Sequence, residues 1–448
     1  MTETKLTCYG GVGSVTGANF LLEISDKRVL VDCGMAQGSR EAGERNHRNF
    51  AYDPSSIDVL FITHAHIDHT GLVPKLVKDG FRGEIYSTPE TKSIAELLLR
   101  DSASINAEKD VPLYRATDVE HALSLWKTLP YHEMRTLGDF SVEFFDAGHV
   151  LGSAMVKFTL PSGKTMLFSG DLGNPPSTLL KETERVPGID YLLMESVYGD
   201  RNHEDVEERT EKLKKVVRDT MERRGTLLIP VFSLERTQVI LYELDNLFES
   251  GALPEIPVFL DSPLAIKITN IYENVTKYYN EEVQKELQAG DEIFRFERLR
   301  QIAQARDSRK IGDVKGPKII LAGAGMSTGG RIMAHEAEYL PGSNNTILFV
   351  GYQAPGTPGR QIADGLKRVV IGEKEVEVRA RVEMIHGFSA HADSDALVKF
   401  VEPNKGSLKK VFVAMGEPGV SSFLAQRLRD ELGVEALVPE KTKIYILD

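Results

Sequence analysis

Three histidines and one aspartate lie within six consecutive positions of the stretch FITHAHIDHTG, residues 61–71. In an extended chain, residues i and i+2 face the same side, so His64 and His66 point at one place, while Asp68 and His69 fall in the turn beyond. Imidazole and carboxylate groups are zinc ligands, and a hydrolytic zinc ion uses three protein ligands and a water molecule. Four candidates therefore indicate either one crowded ion or two neighbouring ions.

Two further residues have the chemistry to join this site. His149 in DAGHVLGSA and Asp171 in FSGDLG each end an apolar run beside a glycine, which allows the backbone to approach an ion closely. A carboxylate between two metals about 3.5–4 Å apart can bridge them and lower the pKa of a shared water towards about 7, and Asp171 is the candidate bridge. Asp32 in VLVDCG has two explanations, because it could orient a metal ligand or cap the following turn.

Short apolar or alternating segments, broken by glycine and turn residues, fill the first 200 residues, with helical patterns between some of them. The predicted strands are NFLLEI, KRVLVDCG, DVLFITH, SVEFFDAG, MVKFTL, TMLFSGD and DYLLME. Several of them end in a charged residue or a histidine, which is how a rigid sheet presents reactive groups. The pattern is typical of an α/β fold.

From about residue 205, amphipathic helices alternate with short apolar strands, with one long helical region between DSPLA and KIILAGAG. This order predicts right-handed βαβ units and a parallel sheet. The loops that follow parallel strands share one edge of the sheet, so we expect FSLER, DSPLA, AGAGMSTGGR and GYQAPGTPGR to converge there. Such loops suit anion binding by backbone N–H groups and guanidinium forks. The candidate residues are Arg236, Ser327, Arg331 and Arg360.

Charge is unevenly distributed along the 448 residues. A net charge of −12 argues against a nucleic-acid partner, because phosphate binding depends on Lys and Arg. Residues 201–370, however, hold 24 Lys and Arg against 25 Asp and Glu. Within them, RFERLRQIAQARDSRK at 295–310 carries six basic and two acidic residues, enough for a local basic patch. Taken alone, this stretch is more simply explained as a solvated helix face.

The composition also predicts where the protein works. No apolar run approaches the ~20 residues that span a bilayer, and the beginning MTETKLTCYGG lacks the basic and apolar segments of a signal peptide. Cys8 and Cys33 lie in apolar, strand-like segments and are expected to be buried thiols, since two cysteines make no disulfide framework. We therefore expect a cytoplasmic protein with no membrane partner.

Motifs along the chain resemble those of a known family. LVDCG, THAHIDH, AGHVLGS and FSGDLG, in this order, resemble the metallo-β-lactamase fold over residues 1 to about 200. MESVYGDR, IPVFSLERTQ, FLDSPLA, GMSTGGR, GYQAPGTPGRQ and GFSAHAD are similar to motifs of the β-CASP nucleases, in particular prokaryotic homologues of the pre-mRNA 3′-end-processing endonuclease. The resemblance implies an α/β protein, a metallo-β-lactamase αββα sandwich with an inserted parallel α/β β-CASP domain that caps it. The expected domains are the first part of the core at 1–200, the insert at 201–379 and the C-terminal part of the core at 380–448.

The same resemblance implies an activity. These relatives are metal-dependent phosphodiesterases, so we expect cleavage of single-stranded RNA by a metal-activated water, as an endonuclease with 5′-exonuclease activity left open. In that group an acidic residue ends the first motif and a histidine the second, which correspond to Glu195 and His391. His391, held by Glu195, would be the general acid, and Asp68 would bind metal and orient the water. The glycine- and arginine-bearing loops of the insert would hold the substrate backbone.

One position departs from the family pattern. The third β-CASP motif normally reads VHGEP, and its histidine binds the second metal in RNA-processing members, whereas this chain reads VAMGEP with Met415 at that point. Zinc gains little from a thioether in a nitrogen and oxygen environment. The second of two zinc sites would then keep only Asp68, His69 and the shared Asp171, and we expect it to be weak, with Mn²⁺ as an alternative ion. DNA-processing members tend to carry valine there, so a DNA-directed nuclease stays open, although the insert motifs favour RNA.

Other classes of function also stay open. A noncatalytic RNA-binding subunit usually loses several metal residues, and this chain has lost one. A small-molecule hydrolase ranks third, because the insert is too large and too rich in arginine for a thioester or lactone substrate. The RNA sequence preference, the cleavage polarity and the oligomeric state are not determined, and a homodimer is one candidate assembly. The single histidines His335 and His386 are expected to be structural.

Overall fold

The chain forms two compact units in a computed structural model that describes residues 3–38, 40–107 and 111–447. The first unit combines residues 1–202 with residues 391–448, and the second consists of residues 203–390. The first unit is therefore discontinuous in sequence, and the second is inserted into it.

Strands are present in both units. They are β1 (Thr4–Cys8), β2 (Phe20–Ile24), β3 (Lys27–Val31), β4 (Val59–Phe61), β5 (Glu84–Ser87), β6 (Trp126–Thr128), β7 (Arg135–Leu137), β8 (Phe140–Asp146), β9 (Ala154–Thr159), β10 (Thr165–Phe168), β11 (Tyr191–Met194), β12 (Thr226–Pro230), β13 (Val258–Leu260), β14 (Leu299–Gln301), β15 (Lys318–Ala322), β16 (Thr346–Phe349), β17 (Arg368–Ile371), β18 (Lys374–Glu377), β19 (Arg381–Met384), β20 (Lys410–Val413), β21 (Ala436–Leu437) and β22 (Ile444–Leu447).

Helices connect and cover these strands. They are α1 (Arg40–Asn46), α2 (Ile67–Thr70), α3 (Val73–Lys78), α4 (Pro89–Ala107), α5 (Ala116–Leu125), α6 (Val206–Glu222), α7 (Arg236–Glu249), α8 (Pro263–Asn274), α9 (Glu281–Ala289), α10 (Ala305–Ser308), α11 (Ile332–Tyr339), α12 (Pro358–Ala363), α13 (Ser394–Val401) and α14 (Pro418–Leu432).

The first unit contains two seven-stranded sheets. One has the order β22-β1-β2-β3-β4-β5-β6 and the other the order β21-β20-β11-β10-β9-β8-β7. Each sheet is antiparallel at one end and parallel at the other: β2 pairs antiparallel with β3, whereas β3, β4 and β5 run parallel. Strand β8 shows strict alternation of buried and half-buried residues, as a strand with one face on a core requires.

The main core lies between the two sheets. Phe20 and Phe61 from one sheet and Phe158 and Phe168 from the other belong to a single cluster of buried side chains. The rings of Phe61 and Phe158 meet edge to face with centroids 5.5 Å apart. A second cluster covers the outer face of the second sheet with α13 and α14, and α4 lies against β6 of the first sheet. The predicted αββα sandwich is confirmed.

The second unit contains a six-stranded parallel sheet with the order β14-β13-β15-β12-β16-β19. All residues of β12, β15 and β16 are buried, which is typical of parallel strands covered on both faces by helices. An antiparallel hairpin of β17 and β18 accompanies the sheet. The parallel α/β insert predicted from the sequence is confirmed.

Two sequence-based expectations differ from the structure. Residues 381–384 were expected in the C-terminal part of the core but form β19, which pairs parallel with β16, so the second unit extends to residue 390. The long helical region contains α8 and α9 and then β14, because residues 299–301 pair with β13 at the edge of the sheet. A strand of three residues has too little periodicity to be distinguished from a helix in sequence.

Cys8 and Cys33 are both buried and free of any disulfide, as expected. No helix in the described part of the chain is long and apolar enough to cross a membrane.

Candidate metal centre

The chemically reactive residues of the first unit follow the ends of its strands. His64 and His66 come after β4, and His66 precedes helix α2, which carries Asp68 and His69. The backbone N–H of His69 donates to the carbonyl of His66, so this short turn brings the second pair of side chains back towards the first. His149 and Asp171 follow β8 and β10 of the other sheet.

Four side chains converge on one point. The candidate ligand atoms of His64, His66, His149 and Asp171 all lie within 4.8 Å of one another. Nδ1 of His66 lies 3.1 Å from Nε2 of His64 and 3.3 Å from Nε2 of His149. Oδ2 of Asp171 lies 3.5 Å from Nε2 of His64 and 3.7 Å from Nε2 of His149. Three imidazoles and a carboxylate facing one space are a suitable ligand set for a transition metal.

The other oxygen of Asp171 faces a different set of residues. Oδ1 of Asp171 lies 3.4 Å from Nε2 of His69, and that Nε2 atom lies 4.0 Å from Oδ2 of Asp68. Both Oδ1 of Asp171 and Nε2 of His69 are buried without a hydrogen bond. Buried polar atoms normally have a partner, so a cation contacting both atoms fits this arrangement. The two oxygens of Asp171 are thus directed at two adjacent ligand sets.

Asp32 is buried and contacts a residue of the candidate metal centre through a hydrogen bond. Its Oδ2 lies 2.7 Å from Nδ1 of His69 and also accepts from the hydroxyl of Thr63 at 2.8 Å, while its Oδ1 accepts from the backbone N–H of Thr63. Asp32 therefore orients His69 so that Nε2 faces Asp171. Thr63, which the sequence motifs did not single out, also belongs to the site, because its hydroxyl lies 3.1 Å from Nδ1 of His64. Its position between β4 and the first histidine of the motif is the sequence feature that could have identified it.

His391 and Glu195 lie beside the same carboxylate. Nδ1 of His391 is 3.3 Å from Oε1 of Glu195 and 3.8 Å from Oδ2 of Asp171. Glu195 is wholly buried and its Oε1 also accepts from the backbone N–H of Leu172 at 2.7 Å. The His391 side chain is 23% exposed, whereas those of His64 and His149 are 0% and 1% exposed, so His391 can meet a substrate. Asp171, Glu195 and His391 also form a second group of potential metal ligands.

Burial and opposite charges set the protonation of this site. Burial and the neighbouring histidines lower the pKa of His64 well below its ordinary value, so this ring is neutral and able to bind a cation. Burial opposes a charge on His69 as well, but the carboxylates of Asp171 and Asp32 outweigh it and raise the pKa of His69. Burial also disfavours the Asp171 carboxylate, yet His69 and His64 hold its pKa well below the usual range. A positive charge between these groups is electrostatically favoured, and a divalent cation supplies it.

Comparison with known proteins identifies the fold and the insert. Family models match residues 13–221 as the metallo-β-lactamase superfamily, residues 237–362 as a β-CASP domain and residues 375–439 as a Zn-dependent metallo-hydrolase RNA specificity domain. The chain is similar to ribonuclease TTHA0252 of Thermus thermophilus, with 38% identity over 89% of this chain and 90% of that protein. The chain belongs to the β-CASP family of metallo-β-lactamase-fold proteins.

Further similarities extend over most of the chain. The transcription termination factor FttA of Methanosarcina mazei is 31% identical over 96% of this chain and 70% of that factor, and FttA of Thermococcus kodakarensis is 30% identical over 97% and 70%. A crystal structure of a protein of unknown function from Enterococcus faecalis V583 aligns over 100% of both chains with a TM-score of 0.58 and 13% identity, which shows a shared fold. This β-CASP fold and the cluster of histidines and aspartates together indicate a divalent-metal site.

Met415 lies beside the second ligand set of this β-CASP protein. Its side chain is 2% exposed and packs in the core between the sheets. Together with Asp32, His69 and Glu195 it lines a cavity of about 10 Å³, which is room for about one water molecule. The sulfur is so close to Gly11 that a Cβ atom there would lie 2.5 Å from it. Met415 therefore shares a small cavity with His69 and offers no nitrogen or oxygen donor there.

Two of the four proposed substrate contacts in the β-CASP domain are engaged elsewhere. Ser327 is wholly buried and donates to Glu336 at 2.5 Å, and Arg331 donates to the buried carboxylate of Asp261 at 2.6 Å. The buried Ser327 is therefore not presented to a substrate, whereas the Arg331 side chain is 21% exposed and its contact with a substrate stays a prediction. The glycine-rich loop turns its polar side chains into its own domain to satisfy buried carboxylates.

The other two proposed contacts differ in exposure. Arg236 is 8% exposed at the first position of α7. The Arg360 side chain is 42% exposed and pairs with Asp364 at 2.9 Å on the surface of α12. A surface pair of this kind contributes only ~0–1 kcal/mol, so the pair with Asp364 does not prevent Arg360 from contacting a phosphate. His335 lies 2.8 Å from Asp261, which agrees with the structural role expected for it.

Proposed function

We propose that the protein hydrolyses phosphodiester bonds of single-stranded RNA, as an endonuclease with a 5′-exonuclease activity to be tested, using two divalent cations, preferably zinc. The observation that carries the proposal is that the two oxygens of Asp171 face two adjacent sets of ligands. Membership of the β-CASP family and similarity to a protein named as a ribonuclease support RNA as the substrate.

The first ion would be held by His64, His66, His149 and Asp171, and the second by Asp171 with Asp68 and His69. Bound there, the cations would act as Lewis acids that lower the pKa of a water molecule and neutralise charge on the phosphoryl oxygens. Asp68 is half-buried, and burial raises its pKa to about 6. Its position at the rim of the cluster suits a carboxylate that orients the attacking water.

His391 would donate a proton to the leaving oxygen. Its Nδ1 faces the buried carboxylate of Glu195, which holds the ring in one tautomer and leaves Nε2 to carry the proton. Burial opposes a charge on His391, but Glu195 and then Asp171 raise its pKa, which favours the protonated ring that a general acid requires. An alternative role as a metal ligand is tested by the metal content of the His391 variant.

Zinc at the second position would be held less firmly than at the first. Met415 offers no nitrogen or oxygen donor beside His69, so three protein ligands remain for the second ion, and Mn²⁺ is an alternative there. Arg360 and Arg236 remain candidates for contacts with the substrate backbone, Arg360 by its exposure.

We also propose a cytoplasmic location and a homodimeric assembly for this protein. Two buried free thiols are consistent with a reducing compartment. Light scattering of the purified chain measures the assembly, and a monomer at micromolar concentration would rule out the homodimer.

The activity is tested by incubating the purified protein with end-labelled single-stranded RNA and single-stranded DNA of the same sequence, with and without a chelator. We expect RNA to be cut internally, chelator to abolish cutting, and Zn²⁺ or Mn²⁺ to restore it. Asp171→Asn serves as the inactive control. Cleavage of DNA in preference to RNA would assign the protein to the DNA-directed alternative, and binding of RNA without cleavage would make it a noncatalytic subunit.

A further inference from the structure

A basic turn of the second unit takes no part in the site described above. Helix α10 continues into a 3₁₀ turn at Arg309–Ile311, and together they carry Arg306, Arg309 and Lys310. All three side chains are exposed. They stand at positions i, i+3 and i+4 of a helical turn, which places them on one face. The turn is the second half of the basic stretch 295–310, which the sequence alone explained as a solvated helix.

The positive charges of these three side chains are only weakly neutralised by neighbouring acidic groups. Arg309 makes no ion pair or hydrogen bond through its side chain in the described structure. Lys310 lies 2.8 Å from Asp307 and Arg306 lies 3.9 Å from it, and these two basic side chains are 69% and 81% exposed. Ion pairs this exposed contribute about 0–1 kcal/mol, so a phosphate group can replace Asp307 at little cost.

Buried contacts anchor the turn to the second unit. The hydroxyl of Ser308 donates to the wholly buried carboxylate of Asp261 at 2.5 Å, and Ile311 is buried in the core of the unit. Arg331 donates to the carbonyls of Ile302 and Ala303, each at 2.8 Å, just before the turn. These contacts hold the backbone that carries the cations, so little ordering entropy is lost when a ligand binds.

The charge of this segment contrasts with that of the rest of the chain. Residues 299–315 carry five basic and two acidic residues, in a protein with a net charge of −12. The hairpin of the same unit, residues 367–377, has three basic residues but also three acidic ones. Positive charge concentrated on one rigid turn of an acidic protein is the pattern expected of an anion-binding surface.

We propose that Arg306, Arg309 and Lys310 bind successive phosphates of a single-stranded RNA, as a secondary contact surface formed by residues outside the metal centre. The inference rests on the proposed function, because it takes its ligand from the substrate class. Contacts to phosphates alone carry no base information, so this surface adds affinity for long RNA without changing the sequence preference.

The test compares two variants with the same change in charge. The first is Arg306→Ala/Arg309→Ala/Lys310→Ala, and the matched control is Lys367→Ala/Arg368→Ala/Lys374→Ala, whose three side chains are exposed on the hairpin. Binding of a labelled RNA of about 30 nucleotides is measured against salt from about 50 to about 200 mM, with Asp171→Asn added throughout so that the RNA is not consumed. The kcat/KM for the same RNA is measured with metal-loaded turn and hairpin variants that retain Asp171.

Each phosphate contact on a single strand contributes about 0.7 to the slope of log K against log salt, so loss of three contacts should reduce the slope by about 2. The affinity lost by the turn variant should therefore be about 20-fold greater at about 50 mM than at about 200 mM salt. The loss should be equal for poly(A) and poly(U), and the hairpin variant should keep the slope of the unaltered protein.

Parallel salt dependences for the turn and hairpin variants would overturn the inference, and so would a loss confined to one RNA sequence. The single variant Arg309→Glu provides a second measurement if the triple variant unfolds, and it should weaken binding in the same salt-dependent way. If the metal-loaded protein cuts no RNA, the proposed function fails by itself. If it cuts RNA and the turn variant behaves as the hairpin control, only this inference fails.

Discussion

Nδ1 of His391 lies 3.3 Å from a carboxylate oxygen of Glu195, and Glu195 is wholly buried. The backbone N–H of Leu172 donates to the same oxygen and holds the buried carboxylate, which in turn orients the histidine ring. The relationship gives one side of the metal centre a positioned proton donor.

Replacement of His391 by alanine should separate proton transfer from metal binding. We expect His391→Ala to keep the metal content of the unaltered protein while turnover falls by roughly 10²–10⁴, because a general acid contributes about that factor. Metal analysis and single-turnover RNA cleavage measure the two quantities. An RNA with a phosphorothiolate leaving group, which needs no proton, should recover most of the lost rate. A fall in metal content with this substitution would show that His391 is a ligand.

Removal of Asp171 should abolish both metal binding and hydrolysis. Its two oxygens face two sets of ligands, so Asp171→Ala removes a ligand from both ions at once, whereas His64→Ala removes one from a single ion. Metal content by mass spectrometry and RNA cleavage are measured together, with the exposed Asp313→Ala as the control. Full activity of metal-depleted Asp171→Ala would contradict the two-metal mechanism.

Histidine in place of Met415 should strengthen the second metal site. The unaltered protein should hold about one zinc equivalent tightly, and Met415→His should bring the number towards two. Loss of a residue that only supports a ligand lowers metal affinity ~10–100-fold, and loss of a ligand itself should lower it at least as much. The backbone at this position has φ +46°, a region that histidine enters more readily than most residues. Calorimetric titration with Zn²⁺ measures the stoichiometry, and Met415→Leu is the control. Two tightly bound ions in all three proteins would show that Met415 does not limit the site.

Replacement of Glu336 by glutamine should change how stability depends on pH. Burial raises the pKa of Glu336 from 4.5 to about 7, and its Oε2 has no hydrogen-bond partner. Glu336 therefore binds its proton more tightly in the folded protein than in the unfolded chain. The stability that protonated Glu336 contributes is fully present below pH 4.5 and is lost as pH rises through about 7. The melting temperature of Glu336→Gln, relative to that of the unaltered protein at the same pH, should therefore increase from pH about 5 to pH about 8.5. The exposed Glu338→Gln on the same helix should show no such gain.

The chemistry of the metal centre could be predicted because it depends on residue type and on local spacing. His64 and His66 are two apart after a strand, and Asp68 and His69 follow in the next turn, so their proximity is settled within a few residues of chain. Strand alternation and apolar runs likewise predicted an α/β first part and a parallel sheet beyond residue 205, since burial of one face of a strand or of both faces leaves a distinct pattern. The αββα sandwich and the insertion were implied by the resemblance of motifs to a known family.

Contacts between distant residues decided the rest. Asp32 had two explanations in sequence, and a 2.7 Å contact with His69 chose between them. Arg331 was a candidate substrate contact in sequence, and only the structure shows that it also pairs with the buried Asp261, 70 positions earlier. The basic stretch 295–310 looked helical, but Leu299–Gln301 pairs with β13 and gains the hydrogen bonds of a sheet edge. Sequence determines which chemistry a side chain has, whereas burial and distant partners decide whether that side chain is free to use it, because a buried charge must first be neutralised by whatever the fold brings to it.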